Sequence, residues 1–290
     1  MKIITHNDRF HADDVCAMAT LRIIFGEKIT EVIRTRDESV IQTGDIVFDV
    51  GNIYDPELNR FDHHQIEGAG QRVNGIPYAA FGLVWKKWGT EICGSQKAAD
   101  SIDKKLVQTV DASDNGFSLY SYSIPDTKEY VLDTICGSFG ATWKEDDNYD
   151  EAFFEVVDIV EKILRREIKI AQDKVEAIPF VQKSYEDSED KRIVVMDEYY
   201  PWSDTLSEYK EILFIISPSK DKSQWRINAV QEDRFVNRKD LPSLWAGLRE
   251  EELEKVSGVK GALFCHRKLF LAVAQTKESA LLLAQKALSV

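Results

Sequence analysis

The hydrophobic pattern of the first half of the chain alternates short apolar runs with segments of helical periodicity. Short apolar runs predict buried strands at 2–6, 29–35 and 45–51. Apolar side chains at helical spacing predict helices at 13–25, 78–89 and 95–110. Strands and helices that alternate with short connections are typical of a mainly parallel sheet covered by helices. We therefore predict an α/β fold for this half, with Gly89 ending its second helix.

The second half of the chain opens with a helical stretch and continues with strands. Residues 126–178 are predicted to be helical, and 149–178 can form one long helix. The segment 184–191 is polar and without apolar periodicity, so we predict a linker there and two domains, 1–188 and 189–290. Further strands are predicted at 192–198, 211–217, 225–231, 262–266 and 269–275, followed by a helix at 277–288. The pattern of helices and strands in this half predicts a second, smaller α+β domain.

Composition and charge narrow the possible classes of protein. A hydrophobic fraction of 43% predicts a packed globular chain, and 290 residues leave room for two domains. The sequence has neither the apolar core of a signal peptide at its start nor an apolar run of about 18 residues, so we predict a cytoplasmic protein without a membrane span. The four cysteines lie far apart and predict reduced, mostly buried thiols. The net charge of −13 argues against a long nucleic-acid footprint but allows an enzyme acting on a few nucleotides.

Histidines and acids gather near the ends of the predicted strands. Four of the five histidines fall in two clusters, at His6 and His11 and at His63 and His64. The nearby acids are Asp13, Asp14, Asp49, Asp62, Asp111 and Asp114. Ligands of parallel sheets collect at the carboxyl ends of the strands. Imidazoles and carboxylates from several segments suit two hydrolytic metal ions, which clamp a phosphoryl group when they lie about 3.5–4 Å apart.

Several of these acids also have purely structural interpretations. Asp13 can be the N-cap of a helix, and Asp49 can form a turn. Asp114 precedes an Asn-Gly turn signal and is more readily explained as a turn residue than as a ligand. Asp111 directly follows an apolar helical stretch and is the better candidate ligand. The adjacent pair His63-His64 is the hardest to explain by packing alone.

Several motifs resemble one known group of enzymes. "FDHHQ" (61–65) resembles the signature of the DHH phosphoesterase superfamily, and "THNDRFHADD" (5–14) resembles the first motif of its MYG-type branch. Segments similar to the same branch follow at 110–116, 237–253 and 261–270. The resemblance implies a two-metal phosphoesterase, usually with manganese. Eukaryotic members of this branch are reported as 3′→5′ RNA exonucleases.

The resemblance also implies roles for individual residues. The implied metal ligands are His6, His11, Asp13, Asp49, His63 and Asp111. The implied catalytic residues are Asp62, His63 and His64, with one histidine on a metal and the other over the phosphate. The spacing His-x₄-His-x-Asp departs from the usual His-x₃-Asp-x-Asp of the superfamily. Two divalent ions are expected, with manganese favoured and zinc, iron, cobalt or magnesium left open.

Four residues are candidates for substrate binding. Arg72 lies in a glycine-containing loop that precedes a predicted helix, where an anion can bind. In the second domain, Arg226 lies beside Trp225, and His266 and Arg267 end a predicted strand. Basic residues next to aromatic ones suit phosphate binding and base stacking.

Three functions from different classes remain open at this point. The leading hypothesis is a phosphodiesterase that removes nucleotides from one end of short RNA or oligonucleotides. The alternatives are a small-molecule phosphohydrolase acting on pyrophosphate, a nucleotide or a cyclic dinucleotide, and a non-catalytic metal-binding module. A homodimer is possible under each of them.

Overall fold

The computed structural model describes residues 1–121, 124–233 and 236–290. The chain divides into two compact units, Met1–Asp173 and Lys174–Val290. The first carries a mainly parallel sheet with helices and the second a smaller mixed sheet with helices, so the predicted α/β class with a second α+β domain is confirmed. The division falls within a long helix, whereas the sequence placed the domain boundary at 188/189.

The first unit is built on a five-stranded sheet. Its strands are β1 Lys2–Thr5, β2 Glu31–Arg34, β3 Ile46–Phe48, β4 Tyr54–Asp55 and β5 Arg60–Phe61. They lie in the order β2-β1-β3-β5-β4, and every neighbouring pair is parallel except β4 with β5. The apolar side chains of β1 and β3 are fully buried, as expected for strands covered on both faces. The short strands β4 and β5 were not predicted from the hydrophobic pattern.

Seven helices of the first unit accompany this sheet in the described residues. They are α1 Ala12–Phe25, α2 Glu38–Ile41, α3 Ala80–Cys93, α4 Gln96–Ile102, α5 Gln108–Asp114, α6 Leu132–Gly137 and α7 Tyr149–Glu186, which continues into the second unit. A π-helical turn at Asp103–Val107 joins α4 to α5. The prediction that Gly89 ends α3 is wrong. The helix continues to Cys93 and ends at left-handed Gly94, while a Cβ on Gly89 would lie 2.8 Å from the Trp85 ring.

The predicted helical stretch 126–178 is only partly helical. Residues 138–148 lie outside the helices α6 and α7. In contrast, α7 continues past 178 to Glu186 and includes the first part of the segment predicted as a linker. Ion pairs one turn apart support its exposed face, among them Lys169 with Asp173 and Lys183 with Asp187. Ala177 and Val181 in this part of the helix are buried in a hydrophobic cluster of the second unit, which stabilises the helix there.

The second unit carries a mixed sheet of five strands, β6 Ile193–Val195, β7 Phe214–Pro218, β8 Trp225–Ala229, β11 Ala262–Cys265 and β12 Leu271–Ala274. They lie in the order β11-β12-β8-β7-β6. A two-stranded ribbon of β9 Gln231–Asp233 and β10 Val236–Asn237 and the helices α8 Ser203–Leu206, α9 Glu250–Ser257 and α10 Lys277–Ser289 complete it. Only β6 and β7 pair in parallel. The five strands and final helix predicted here are confirmed.

Two further predictions concern cysteines and membrane spans. All four cysteines are free and buried, as predicted. Over the described ranges, no helix combines the length and the apolar character that crossing a bilayer requires.

Candidate metal centre

The candidate site lies at the carboxyl end of the parallel strands. His6 follows β1, Asp49 follows β3, and His63 follows β5. These three strands are neighbours and run in the same direction, so the residues that follow them reach the same edge of the sheet. The backbone of Asp49 is left-handed, with φ of 53°, and turns the chain at the end of β3.

Asp49 lies between two imidazole rings. Its Oδ2 is 3.2 Å from Nε2 of His6, and its Oδ1 is 3.3 Å from Nε2 of His63. Each ring also faces a second carboxylate. Nε2 of His6 is 3.1 Å from Asp14 Oδ2, and Nε2 of His63 is 3.1 Å from Asp114 Oδ2. The result is a compact, largely buried cluster of alternating nitrogen and oxygen donors.

The ring of His6 is oriented in the way that metal-binding histidines are. Its Nδ1 lies 2.8 Å from the Asn7 carbonyl oxygen, which can only accept, so Nδ1 carries a proton and Nε2 points at the carboxylates. Burial lowers the pKa of His6, but the adjacent carboxylates of Asp14 and Asp49 raise it to about 10. Asp114 and Asp49 likewise raise the pKa of His63 to about 11 against its burial. The cluster therefore favours positive charge at both rings.

The cluster also contains buried polar atoms that lie within ion-pair distance of a neighbour but, among the described residues, make no hydrogen bond of good geometry. They include Asp14 Oδ2, Asp49 Oδ1 and His63 Nε2. Such atoms are costly unless something satisfies them. Three groups of side chains each bring one ligand atom per residue within 4.8 Å of the others: His6-Asp14-Asp49, Asp49-His63-His64 and Asp13-His63-Asp114. Buried acids and histidines at this spacing could form a metal site.

Asp13 supports the cluster by holding the start of helix α3. Its two oxygens accept the backbone N–H groups of Ala80 at 3.0 Å and Phe81 at 2.7 Å. The following N–H, of Gly82, donates to Asp111 Oδ1 at 3.0 Å. Two carboxylates thus satisfy three free donors of the first turn of α3. Burial, together with the nearby carboxylates of Asp49 and Asp114, raises the pKa of Asp13 well above its usual value.

The structure places Asp111 with Arg72 instead of with the histidines. Arg72 donates to Asp111 at 2.7 Å and to both oxygens of Asp103 at 2.7 and 3.2 Å, and it stacks 4.3 Å from the Tyr78 ring. A Cβ at position 82 would lie 1.9 Å from Asp111 Oδ2, so only glycine permits this approach. Burial raises the pKa of Asp111 to about 7, although Arg72 opposes the rise. Asp111, predicted as a metal ligand, and Arg72, predicted to bind substrate, therefore form an ion pair with each other.

Asp114, interpreted from the sequence as a turn residue, faces His63. Asp111 and Asp114 are one helical turn apart at the end of α5, and the sequence could not show which of them points into the site. Asp14, which was not assigned as a ligand, approaches His6. Its position next to Asp13 was a signal, since both acids lie in the first turn of α1.

Asp62 positions the histidine pair. Its Oδ1 accepts the backbone N–H of His63 at 2.7 Å and that of His64 at 3.2 Å, and lies 2.7 Å from His64 Nδ1. Its Oδ2 accepts the N–H of Asn52. The contact with Asp62 raises the pKa of His64. The same contact lowers the pKa of Asp62, although the burial of Asp62 acts in the opposite direction. The His64 side chain is 61% exposed, so its Nε2 edge is accessible to a ligand.

A cavity of about 560 Å³ opens over the cluster. His11 lines it, with its ring 6.3 Å from that of His6, but lies outside the three groups of potential ligands. Arg36, which was not predicted, is exposed and lines the same cavity. Its signal was its position just after β2, the fourth parallel strand that ends at this edge.

The other predicted substrate-binding residues lie in the second unit. Arg226 is exposed on β8, and His266 and Arg267 follow β11. The His266 ring packs 4.4 Å from that of Phe270, and its Nδ1 accepts the N–H of Lys268 at 3.1 Å. Their roles in binding substrate remain predictions.

The fold and the cluster define an α/β protein with a candidate metal centre of histidines and carboxylates. The model of the MYG1_exonuc family, described as an uncharacterised protein family (UPF0160), matches residues 2–288. The chain therefore belongs to this family.

Similar relatives span nearly the whole chain. The MYG1 exonuclease of Rattus norvegicus is 30% identical over 326 residues, covering 99% of this chain and 84% of the relative. The MYG1 exonuclease of Homo sapiens is 29% identical over 327 residues, covering 99% and 86%. The MYG1 protein C27H6.8 of Caenorhabditis elegans is 29% identical over 324 residues, covering 99% and 94%. These similarities are therefore not restricted to the metal-site motifs.

Proposed function

We propose that this protein is a metal-dependent hydrolase of phosphodiester bonds that removes nucleotides from the 3′ end of short RNA or oligonucleotides. The observation that carries the proposal is the position of Asp49 between the imidazoles of His6 and His63. Relatives named exonuclease support a nuclease-like hydrolase. The DHH-like motifs support a dinuclear site of the phosphoesterase type.

The donor set fits divalent cations. His6 and Asp14 would hold one ion, and His63, Asp13 and Asp114 would hold the other. Asp49, which contacts both His6 and His63, would contribute to either set of ligands. Imidazole mixed with carboxylate suits manganese and leaves zinc, iron, cobalt and magnesium possible. When bound, such ions neutralise phosphate charge and activate water.

Two predicted ligands take different places in this proposal. Asp111 acts through Arg72 and helix α3 as a positioning residue, because it pairs with the Arg72 guanidinium and lies outside the three groups of potential ligands. His11 stands at the wall of the cavity, where it can contact a ligand.

The protein's own side chains supply the remaining parts of the reaction. Asp62 holds His64 by Nδ1 and favours its protonated form, so Nε2 can donate a proton to the leaving oxygen. Arg36 provides a guanidinium at the wall of a cavity otherwise rich in acids and imidazoles, where it can bind a substrate phosphate. We assign the phosphate contact to Arg36 in place of Arg72, whose donors are taken by Asp103 and Asp111.

One observation favours a small-molecule phosphohydrolase as the second candidate. Among the described residues that line the cavity, Arg36 is the one arginine or lysine, and the chain has a net charge of −13. A small phosphate ester needs fewer cationic contacts than a long strand.

A substrate panel tests the proposal. The protein is incubated with 5′-labelled RNA oligonucleotides, mononucleotides, a cyclic dinucleotide and pyrophosphate under manganese, magnesium, zinc and cobalt. We expect stepwise shortening of the oligonucleotides, and a loss of cleavage by about a hundredfold or more in Asp62→Ala and His63→Ala. Asp173→Ala, on the exposed face of α7, is the control and retains activity.

Three results would contradict the proposal. Cleavage by both variants at the rate of the unaltered protein would remove the assigned site. Turnover of mononucleotides or pyrophosphate with intact oligonucleotides would decide for the second candidate. Tightly bound metal that raises the melting temperature without any hydrolysis would identify a non-catalytic metal-binding module.

A further inference from the structure

A second cavity, of about 400 Å³, lies beside the cavity of the candidate metal centre. Ser113 and Asp133 line both cavities. A ligand with a phosphate at the metal centre could therefore extend directly into the second cavity. A volume of this size is within the range of small-molecule sites.

One wall of the second cavity is the face of a helix that also serves the metal centre. Leu106, Thr109, Val110 and Ser113 line it. Their spacing of three and four residues places them on one side of the π-helical turn and α5. The next residue of α5, Asp114, faces His63. Helix α5 thus presents an acid to the candidate metal centre and a face of mixed apolar and hydroxyl side chains to the second cavity.

The lining of the second cavity also includes exposed aromatic rings. Phe117 and Tyr120 line the cavity, and 52% and 54% of their surfaces are exposed. Leu132, at the start of α6, contributes an apolar side chain to the same lining. Exposed aromatic residues grouped at a concave surface are a mark of a binding site, because burying them against a ligand removes apolar surface from water.

Two polar residues of this cavity, Asp133 and Ser113, lie where it adjoins the candidate metal centre. Asp133 accepts the N–H of Ala12 at 3.3 Å, which ties the start of α6 to the start of α1. Ser113 lies on α5 directly before Asp114. Hydroxyl and carboxylate groups at the edge of an apolar cavity can bind the polar edge of a flat ring while the walls cover its faces.

We infer that the second cavity binds the base of the nucleotide whose phosphate lies at the candidate metal centre. This inference rests on the proposed function and names its substrate class, a nucleotide unit with an aromatic base. Two aromatic side chains line the cavity, which favours a base over an aliphatic group. Ser113 and Asp133 line both cavities, which favours a group joined to the bound phosphate over a separate ligand.

Calorimetric binding of adenosine 5′-monophosphate and of ribose 5-phosphate tests this inference, with Mn²⁺ and again with EDTA. With Mn²⁺, we expect the nucleotide to bind about tenfold more tightly than the sugar phosphate, because base stacking adds to phosphate binding. Phe117→Ala and Tyr120→Ala should remove this difference without weakening ribose 5-phosphate. Phe117→Leu, which keeps an apolar side chain but lacks the ring, should also lose it.

The control and the contradicting outcomes are equally specific. Trp143→Ala removes an aromatic residue that is 89% exposed and does not line this cavity, so the tenfold difference should remain. Equal or absent binding of the two ligands by the unaltered protein overturns the inference, as does an equal loss of both in Phe117→Leu.

Oligonucleotide hydrolysis is assayed separately. Base-dependent binding without hydrolysis supports the cavity assignment and overturns the proposed function, whereas hydrolysis with base-independent binding overturns the cavity assignment alone.

Discussion

The two sheets of this protein differ in strand direction, and this difference determines how each can build a site. In the first sheet, His6, Asp49 and His63 follow three neighbouring parallel strands, and the Asp49 carboxylate comes within 3.3 Å of both imidazole rings. In the second sheet, Arg226 pairs with Val273, while the N–H of His266 bonds to Leu271 on the same strand β12. Parallel strands therefore gather donors from distant parts of the chain, whereas the antiparallel strands leave the predicted basic residues separated by register.

The largest expected effect comes from the acid that the parallel strands place between the histidines. Asp49→Asn keeps the size of the side chain but removes its charge. We expect kcat/KM for oligonucleotides to fall by a hundredfold or more, since altering even the partners of metal ligands costs roughly 10–100-fold. Bound metal, measured by mass spectrometry, should fall in parallel.

A carboxylate in the second unit gives the matched control for this test. Asp204→Asn alters an exposed acid paired with Lys174 and should leave both activity and metal content unchanged. If Asp49→Asn keeps full metal content and full activity, the assignment of the metal centre to the ends of the parallel strands is wrong.

The next largest effect concerns the stability of the first unit. Arg72→Met breaks a buried ion pair and leaves Asp111 and Asp103 without their cation. We expect the free energy of unfolding to fall by about 3 kcal/mol, because an unpaired buried charge is strongly destabilising. Denaturant titration followed by circular dichroism measures this change.

An exposed arginine pair in the second unit calibrates the result. Arg192→Met removes the pair with Asp190 at the surface and should cost less than about 1 kcal/mol. If the two variants lose the same stability, Arg72 does not have the structural role assigned to it. Its predicted role in binding substrate would then regain support.

The smallest effect is expected in the second unit. Arg267→Ala should raise KM for oligonucleotides several-fold and leave kcat unchanged, because an exposed phosphate contact adds affinity but no chemistry. Lys220→Ala, which alters an exposed lysine near Tyr199, is the control. An unchanged KM in Arg267→Ala, measured at low salt, would remove the second unit from substrate binding at this position.

Much of the fold could be predicted because its signals are local. Apolar runs marked β1 and β3 and the strands of the second sheet, and helical periodicity marked α1, α3 and α10. The errors in the predicted secondary structure have local causes as well. Two-residue strands such as β4 and β5 are too short to show a period. The end of α3 was misplaced because Gly89 packs against Trp85 within the helix instead of ending it.

The site was less predictable because its geometry depends on which way each side chain points. His6, Asp49 and His63 could be proposed from their positions after strands. The sequence favoured Asp111 over Asp114 as a ligand, but both lie at the end of the same helix and the sequence does not show which of them points into the site. The partners of Arg72 were equally hidden, because Asp103 and Asp111 lie 31 and 39 residues away along the chain.

The sequence by itself determined the kinds of donor available and their order, since strand and helix periods and turn residues act over a few neighbours. Only the tertiary structure decided that Asp114 faces His63 while Asp111 binds Arg72. Such choices depend on how helices are rotated against the sheet and on which charges become buried together, and both are fixed by packing across the whole unit.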